Sequence, residues 1–407
     1  MTLSKILLSV LCVCLSMTVE GQVKCNENCN PAKMHASRMY PGWNLGNTLE
    51  AIGEGLAAET SWQNTRTTRD IIGFVKRQGF QSVRIPCSWD IHSDAQGKID
   101  EEWLARVKEI VDDCIREGLY VVLNDHWDNG WIEVKGFSKN DQSFEKVDEQ
   151  IIQAKIARLK DLWMQLATAF KGYDEQLLFA GLNEPFQQYN LFHDKHQELT
   201  PILLRYNQAF VDAVRAAGGK NKNRILVVQA PSVNISSAVS EEVGFSMPVD
   251  PVGKGRLMVE VHYYEPWDFC GQEEGGKWFW GHGNHVPGDT HNCEWGEENW
   301  SASLFAAMKK KFYDQGFPVI MGEYGANWRE VGPLQMAHDT SIKAWFKDIT
   351  GKAVSNGCVP MLWDINFTNR NGEKGTMTVI DRADLKVFSP VVMDGITEGV
   401  RSVSWPD

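Results

Sequence analysis

The segment Leu177-Leu-Phe-Ala-Gly-Leu-Asn-Glu-Pro185 is an apolar run that ends in Asn183 and Glu184 and is stopped by a proline. A short apolar run bounded by a breaker is typical of a strand buried on both faces, as in a parallel sheet. A second segment, Pro318-Val-Ile-Met-Gly-Glu-Tyr-Gly325, has the same plan and carries Glu323. Both segments therefore predict a buried strand with a glutamate at its carboxyl end.

Eight such runs alternate with helical patterns along the chain. The predicted strands are Gly42–Gly46, Ser82–Pro86, Tyr120–Asp125, Leu178–Asn183, Ile225–Gln229, Leu257–His262, Val319–Gly322 and Val359–Trp363. Helical patterns lie between them, including Asp100–Glu117, Glu149–Phe170, Gln197–Ala217, Ser301–Gln315 and Thr340–Asn356. This alternation predicts an α/β fold, a single (β/α)8 TIM barrel over residues 38–407. The alternative, an open doubly wound sheet, usually carries a G-x-G-x-x-G turn after its first strand, and Gly42-Trp-Asn-Leu-Gly-Asn-Thr48 lacks that pattern.

The composition is that of a soluble globular protein, with 43% hydrophobic and 23% charged residues. The formal net charge is −12 and no basic cluster is present. Nucleic acid is therefore excluded as a partner, because proteins that bind it neutralise phosphates with Lys and Arg. The 16 tryptophans indicate either stacking platforms in a cleft or a tryptophan-rich core.

The first 21 residues have the features of a secretory signal peptide. Lys5 supplies the positive charge, Ile6 to Met17 the apolar stretch, and Val19 and Gly21 the −3 and −1 positions of a cleavage site. The apolar stretch is shorter than the about 20 residues that cross a bilayer. We expect cleavage after Gly21, a secreted protein (extracellular or periplasmic) with no membrane attachment, and a polar extension over residues 22–37. An uncleaved anchor is the alternative.

Seven cysteines remain after this cleavage, and an odd number in an exported protein leaves at least one free thiol. Two pairs are candidates for disulfides: Cys25 with Cys29, and Cys270 with Cys293. The other three, Cys87, Cys114 and Cys358, lie in apolar segments and are expected in the core. The spacing leaves the connectivity open.

Polar and aromatic residues occupy the carboxyl ends of the predicted strands, where TIM barrels carry their catalytic side chains. They are Asn47, Arg84, His126, Asn183 with Glu184, Gln229, His262 with Tyr264, Glu323 and Trp363. Two carboxyl groups at one mouth are what glycosidic bond cleavage requires, one to donate a proton and one to attack or to activate water. Taken singly, the arginine has a simpler explanation as a salt bridge, the histidines as structural hydrogen-bonding groups and the tryptophan as a core residue.

Together these residues resemble glycoside hydrolase family 5. The resemblance lies in Asn183-Glu184-Pro185, the strand end at Glu323, Arg84-Ile-Pro86, His262-Tyr-Tyr264 and Trp363. It covers residues 38 to 400 in order along the chain. The opening segment Gly42-Trp-Asn-Leu-Gly-Asn-Thr-Leu49 is similar to the endo-β-1,4-glucanase branch of that family.

By this resemblance Glu184 is the general acid/base and Glu323 the nucleophile of a retaining double displacement. The resemblance implies that Arg84 keeps the nucleophile ionised, since a guanidinium lowers the pKa of a nearby carboxyl group. It also implies that Asn183 bonds the sugar 2-hydroxyl and that Tyr264 donates to the nucleophile. The remaining residues expected to position or contact the substrate are His126, His262, Trp363, Asn47 and Trp131. Neither a cofactor nor a metal is expected.

The sequence departs from this family at Asp125, where an apolar residue is usual. If His126 points into the barrel, alternation along the strand points Asp125 away from it. A charge in that position requires a partner in the helix layer.

The insertion from Glu265 to Trp300, after the sixth strand, is long and rich in aromatic residues. Its aromatic side chains are expected to stack on successive sugars: Trp267, Phe269, Trp278, Phe279, Trp280, Trp295 and Trp300. Trp131 and Trp328 lie on other mouth loops and are expected to join them. The insertion also carries His282, His285, His291 and Cys293, but their spacing matches no zinc pattern, so a hydrogen-bonded loop is favoured over a metal site.

The sequence thus predicts a secreted, monomeric, retaining endo-β-1,4-glucanase whose partner is a β-linked polysaccharide of the cellulose type. Xyloglucan, mixed-linkage β-glucan and β-mannan are alternative substrates, because the same catalytic pair cleaves them. A glycan-binding barrel without activity is the rival from another class. Such a protein would be expected to lose Glu184, Glu323 or Arg84, and all three are present.

Overall fold

The computed structural model describes residues 30–62, 65–134, 148–186, 192–253, 255–368 and 375–407. The predicted signal peptide and the predicted Cys25–Cys29 pair lie outside these ranges. Within them, none of the helices combines the length and the apolar character that crossing a membrane requires.

Eight parallel strands close into a barrel in chain order, and the predicted TIM barrel is confirmed. The strands are β1 (Gly42–Asn44), β2 (Ser82–Ile85), β3 (Tyr120–Asn124), β4 (Leu177–Ala180), β5 (Leu226–Asn234), β6 (Leu257–Tyr263), β7 (Val319–Tyr324) and β8 (Cys358–Leu362). Nearly all of their residues are buried, which explains why the sequence shows unbroken apolar runs rather than alternation.

Helices follow every strand and surround the barrel. They are α1 (Pro31–Ala36), α2 (Arg69–Arg77), α3 (Glu101–Arg116), α4 (Glu149–Ala169), α5 (Phe192–Ala216), α6 (Ile235–Val239), α7 (Trp267–Cys270), α8 (Glu298–Lys311), α9 (Gln335–Ser355) and α10 (Pro390–Arg401). The loops after β7 and β8 also contain two antiparallel pairs of short strands, Trp328–Arg329 with Gly375–Thr376 and Ile380–Asp381 with Lys386–Val387.

Capping residues set the ends of these helices where the sequence indicates them. In α3 the Asp100 side chain accepts the N–H of Trp103 at 2.8 Å, and the chain leaves the helix at Gly118 with φ of 72°. An aspartate before the first turn and a glycine after the last are preferred at these positions. The predicted helix Asp100–Glu117 therefore differs from α3 by one residue at each end.

The strand ends at the mouth of the barrel differ from the predicted ones. Strand β4 ends at Ala180, so Glu184 lies in the segment after the strand, whereas β7 continues through Glu323. The pairing of β6 with β7 shifts register between Val261 and His262. Such bulges are common next to active sites, where they redirect side chains, and apolar runs alone do not predict them.

Helix α1 closes the other end of the barrel. Its Asn30 cap accepts the N–H of Lys33 at 2.9 Å, and Ala32 and Ala36 pack against apolar side chains of the barrel interior, including Met258 and Ile320. The polar extension predicted for residues 22–37 thus contains a helix that seals the amino-terminal end of the strands. The polar mouth lies at the opposite end.

Candidate active site

Glu184 and Glu323 lie side by side at the carboxyl ends of the strands. A carboxylate oxygen of one lies within 4.8 Å of a carboxylate oxygen of the other. His262 stands between them, with Nδ1 2.8 Å from Glu184 Oε1 and 3.6 Å from Glu323 Oε2. Retaining glycosidases place their two carboxyl groups about 5 to 5.5 Å apart and inverting ones about 6.5 to 9.5 Å apart. The short separation leaves no room for a water between the second carboxylate and the anomeric carbon, as a direct attack by that carboxylate requires.

Arg84 is fully buried beneath this pair and binds four different parts of the barrel. Its Nη1 donates to Glu323 Oε1 at 2.9 Å and to Asn44 Oδ1 at 3.1 Å. Its Nη2 donates to Asn183 Oδ1 at 2.7 Å, and its Nε lies 2.8 Å from Glu260 Oε1. Burial opposes a charge here, but Glu260 and Glu323 outweigh it and raise the pKa of Arg84.

Glu260 is the third carboxylate of this cluster and is fully buried. It is not among the candidate residues predicted from the sequence. Besides Arg84, it contacts Gln229 Nε2 at 2.7 Å and His262 Nε2 at 3.4 Å. Burial would raise the pKa of Glu260, but Arg84 and His262 lower it. Alternation along β6 puts Glu260 on the same face as His262 and Tyr264, so this period of two is the signal that identifies it.

Gly322 makes room for this carboxylate. A Cβ atom at residue 322 would collide with Glu260 Oε1, so only glycine fits beside it in β7. The glycine that precedes Glu323 therefore has a steric role within the strand and does not end it.

His262 is a charged residue at neutral pH. Burial alone would lower its pKa, but the carboxyl groups of Glu323, Glu184 and Glu260 raise the pKa to about 9. Both ring nitrogens face carboxylates, Nδ1 towards Glu184 and Nε2 towards Glu260, so both carry protons. The imidazolium thus supports negative charge on the groups around it.

His126, in contrast to His262, is a neutral histidine. Burial and the positive charges of Arg84 and His262 hold the pKa of His126 well below its usual range, so the ring is neutral. The N–H of Cys87 donates to Asn124 Oδ1 at 3.2 Å, which turns the amide nitrogen of Asn124 towards His126 Nδ1 at 3.3 Å. The Nδ1 atom accepts this bond, so Nε2 carries the proton and can donate to a sugar hydroxyl.

Glu323 is held by cations and by a phenol. Burial raises its pKa, while His262, Arg84 and the hydroxyl of Tyr264 act against that rise. Tyr264 donates to Glu323 Oε2 at 2.9 Å. Burial and the neighbouring carboxylates raise the pKa of Tyr264 well above its usual range, so the phenol keeps the proton that it donates.

The balance of charge in this cluster separates the two glutamates. Arg84 and His262 supply two positive charges to three carboxyl groups. Glu260 and Glu323 both contact Arg84 and are almost fully buried, whereas the Glu184 side chain is 27% exposed and contacts His262. The two glutamates therefore differ in their surroundings: Glu323 is buried against the arginine, whereas Glu184 is the more exposed and contacts the histidine.

Trp363 and His126 form a stacked pair of rings at the mouth. Their rings are parallel within 2°, with centroids 6.0 Å apart. Gly46 packs closely against the Trp363 ring, and Asn47 follows it with φ of 55°. The backbone N–H of Asn47 donates to Glu50. Asn47 thus lies beside this pair of rings, and its contact with substrate stays a prediction.

A cavity of about 430 Å³ adjoins Glu184, within the range of ligand pockets. Its walls include Trp127, whose ring is 44% exposed, together with Ile132 and Glu133. Glu133 accepts the N–H of Phe186 at 2.9 Å, and burial raises its pKa to about 7. Trp127 and Glu133 are not among the residues predicted from the sequence. Trp127 directly follows the strand-end residue His126, and this position is the signal that identifies it, whereas nothing in the spacing of Glu133 relates it to a strand end.

Trp131 and Asp125 are linked below this cavity. The indole N–H of Trp131 donates to Asp125 Oδ2 at 3.1 Å, so its polar edge is engaged within the protein. Contact of Trp131 with substrate stays a prediction. The expectation that Asp125 has a partner in the helix layer is wrong, because its neighbours are Trp131 and a second carboxyl group, Asp128, which both belong to the segment after β3.

Asp125 and Asp128 share one proton. Asp128 accepts backbone N–H groups of Trp89 at 2.6 Å and Ile91 at 3.2 Å, which favour its ionised form. Burial and the charge of Asp128 raise the pKa of Asp125 well above its usual range, so Asp125 is the protonated member. Burial and Asp128 thus disfavour the charge expected at Asp125.

The insertion after β6 buries much of its aromatic content. Phe269, Phe279 and Trp280 are almost fully buried, and Trp278 stacks on His291 with centroids 3.5 Å apart. The expectation that Phe269, Phe279 and Trp280 stack on sugars is therefore wrong, because they form the core of the loop itself. Trp278 is partly buried with one face on His291, and its contact with substrate stays a prediction. Three tryptophans of the insertion remain exposed: Trp267, Trp295 and Trp300. The sequence alone does not separate the two groups.

The candidate disulfide between Cys270 and Cys293 is wrong, since both are buried free thiols.

The proton shared by Asp125 and Asp128 gives a pH test. Because folding raises the pKa of Asp125, its contribution to stability is complete at low pH and is lost as the pH rises. In Asp125→Asn the amide still donates a hydrogen bond but does not titrate. We therefore expect the free energy of unfolding of this variant to increase relative to that of wild type from pH 5 to pH 9. The gain has a limit of about 1.4 kcal/mol per pH unit. Urea unfolding at pH 5, 7 and 9 measures it, and a difference independent of pH would contradict the shared proton.

The chain matches the family model described as "Cellulase (glycosyl hydrolase family 5)" over residues 49–369. It is 34% identical to Endoglucanase A of Paenibacillus barcinonensis over 380 residues, which are 90% of this chain and 89% of that protein. Among solved structures, it is similar to XEG5B, a xyloglucan-specific β-1,4-glucanase from a ruminal metagenomic library. That likeness has a TM-score of 0.86 and 54% identity, and it covers 92% of this chain and 97% of the other.

A xyloglucanase of Bacteroides ovatus is also similar, with a TM-score of 0.80 and 29% identity over 91% of this chain and 77% of that one. Both xyloglucanase structures contain a bound oligosaccharide. The barrel, the cluster of charged residues at its mouth and these likenesses agree. The chain belongs to glycoside hydrolase family 5 and is a glycoside hydrolase of the endo-β-1,4-glucanase type.

Proposed function

We propose that the protein is a retaining endo-β-1,4-glucanase that acts on xyloglucan, with Glu184 as acid/base and Glu323 as nucleophile. The geometric support for the mechanism is the approach of the two carboxyl groups to within 4.8 Å. The support for the substrate is the 54% identity with a xyloglucan-specific glucanase over nearly the whole length of both chains.

In the first step Glu323 attacks the anomeric carbon while Glu184 gives its proton to the departing glycosidic oxygen. Arg84 and Tyr264 each bond one oxygen of Glu323, which fixes the carboxylate in place. His262 faces Glu184 and stabilises the anion that remains after proton transfer. In the second step Glu184 removes a proton from a water molecule as the water oxygen attacks the anomeric carbon, and the bond between the sugar and Glu323 breaks.

Asn183 is oriented for the sugar by the same arginine. Its Oδ1 accepts from Arg84 at 2.7 Å, so its amide nitrogen is left as a donor. A donor at this place suits the 2-hydroxyl beside the anomeric carbon, where hydrogen bonds strengthen in the transition state. Trp363 supplies an apolar face for the ring of the same sugar.

Xyloglucan has a β-1,4-glucan backbone that carries xylosyl branches. A cleft for such a chain needs room beside the backbone as well as along it. The cavity of about 430 Å³ next to Glu184, with Trp127 and Glu133 in its walls, offers that room. Polymers of this kind lie outside cells, which supports the export expected from the first 21 residues.

An unbranched cellulose-type β-1,4-glucan is the second candidate. The similarity to a Paenibacillus endoglucanase favours it, since that relative spans the same barrel. Mixed-linkage β-glucan and β-mannan use the same catalytic pair and remain competitors in the same assay.

Substitution of the glutamates tests the mechanism. We expect Glu184→Gln to lower kcat by about 10²- to 10⁴-fold, the usual contribution of general acid catalysis. Glu323→Gln is expected to lose at least about 10⁴-fold, because no covalent intermediate forms. Reducing-end release measures both. Glu175→Gln, just before β4 at the opposite end of the barrel, is the matched control and should retain wild-type turnover.

Azide distinguishes the two roles. With an activated aryl glycoside, azide should restore turnover to Glu323→Ala and give a product of inverted configuration, because it replaces the nucleophile. With Glu184→Ala it should give a product of retained configuration. Exchanged outcomes would reverse the assignment, and polymer binding by wild type without any reducing-end release would support the glycan-binding rival.

A panel of polymers tests the substrate. We expect kcat/KM for xyloglucan to exceed that for carboxymethyl cellulose, mixed-linkage β-glucan and β-mannan by at least about tenfold, or about 1.4 kcal/mol. Trp127→Ala should reduce the advantage for xyloglucan, whereas Trp405→Phe, which lies at the closed end of the barrel, should not. Equal or higher values for carboxymethyl cellulose would favour the cellulose-type substrate.

A further inference from the structure

We propose that the insertion after β6 contains a binding site for one divalent metal ion of the Zn²⁺ class. The ligands are His282 Nδ1, His285 Nε2 and the carboxylate of Glu297, which lie within 4.8 Å of one another. These residues are separate from the catalytic cluster. The inference concerns metal binding and is independent of the proposed substrate.

The two histidines face different oxygens of one carboxylate. His282 Nδ1 lies 2.5 Å from Glu297 Oε2, and His285 Nε2 lies 2.7 Å from Glu297 Oε1. Zinc bound tetrahedrally at 2.0 to 2.2 Å requires ligand atoms about 3.3 Å apart. Each nitrogen–oxygen pair therefore needs to separate by less than about 1 Å, and the two nitrogens, which lie within 4.8 Å of each other, must reach the same spacing. Two histidines and one glutamate, with water in the open position, are an established ligand set for zinc.

The surroundings provide one fixed ligand and one open side. Glu297 is nearly buried directly before α8, and its Oε1 accepts the N–H of Gly281 at 2.8 Å. The His282 side chain is 83% exposed, so an ion can enter and keep water ligands. His285 is partly buried between them.

The charge around the site is also suited to a cation. In the part of the chain that the structure describes, the ion-pair partners of Glu297 are these two histidines alone. A second carboxylate lies close, with Glu298 Oε2 3.5 Å from the backbone nitrogen of His282. With neutral histidines the site carries two negative charges, which a dication neutralises.

Spacing along the sequence does not indicate this site, because it groups His291 and Cys293 with the two ligand histidines. His291 stacks on Trp278 and bonds Asp289 at 2.7 Å, and Cys293 is a buried free thiol. Glu297, which brings the two histidines together, belongs to the start of a helix 12 residues beyond His285. A bound ion would link the loop at His282 and His285 to the start of α8, beside the exposed Trp295 and Trp300.

Metal titration of the full-length enzyme tests the site. After removal of metals with a chelator, we expect wild type to bind one Zn²⁺ per chain in competition with a colorimetric chelator. Co²⁺ should give visible absorption of a site with nitrogen and oxygen ligands, and Zn²⁺ should raise the Tm. Glu297→Gln, His285→Ala and His282→Ala should each weaken Zn²⁺ binding by roughly tenfold or more.

Two controls make the result specific. His291→Ala, in the same loop, should bind Zn²⁺ as wild type does, and Glu323→Gln should too if the catalytic carboxylates are not the ligands. Circular dichroism of the metal-free variants checks that each is folded. The proposal is overturned if wild type binds no stoichiometric Zn²⁺, if the three ligand variants bind it unchanged, or if Glu323→Gln abolishes binding.

Discussion

A buried guanidinium is the constraint on which the rest of the site depends. Arg84 is inaccessible to water, and an unpaired charge in that position would cost several kcal/mol. Its bonds to Asn44, Asn183, Glu260 and Glu323 bring together four separate parts of the barrel. The residues that satisfy the arginine are therefore held at the positions where the chemistry takes place.

Charge separation follows from this packing. The cations Arg84 and His262 balance Glu260 and Glu323, and Glu184 is the third carboxyl group, on the more exposed side. The two histidines are separated in the same way, since nearby carboxylates raise the pKa of His262 to about 9 while burial and nearby cations lower that of His126. One site thus contains both an imidazolium and a neutral imidazole.

Much of this could be predicted from the sequence. The eight apolar runs gave the barrel, because parallel strands buried on both faces have no polar positions except at their ends. Six of the residues at those ends contact one another: Arg84, Asn183, Glu184, His262, Tyr264 and Glu323. Glu260 lies two residues before His262 inside β6, so a list of strand ends leaves it out although alternation along the strand indicates it.

Other features depend on contacts that the sequence does not contain. The register shifts that place Glu323 inside β7 arise from pairing between strands. The burial of Phe279 and Trp280, the shared proton of Asp125, and the meeting of His282 with Glu297 depend on how loops fold over one another. Spacing along a chain does not report such contacts.

We propose that this network holds Glu323 as the nucleophile and Glu184 as the proton carrier. Trapping the covalent intermediate distinguishes the two roles. A 2-deoxy-2-fluoro glucan oligosaccharide with a good leaving group should label the enzyme once, and mass spectrometry of its peptides should locate the sugar on Glu323. A label on Glu184, or turnover with inversion and no adduct, would contradict the account.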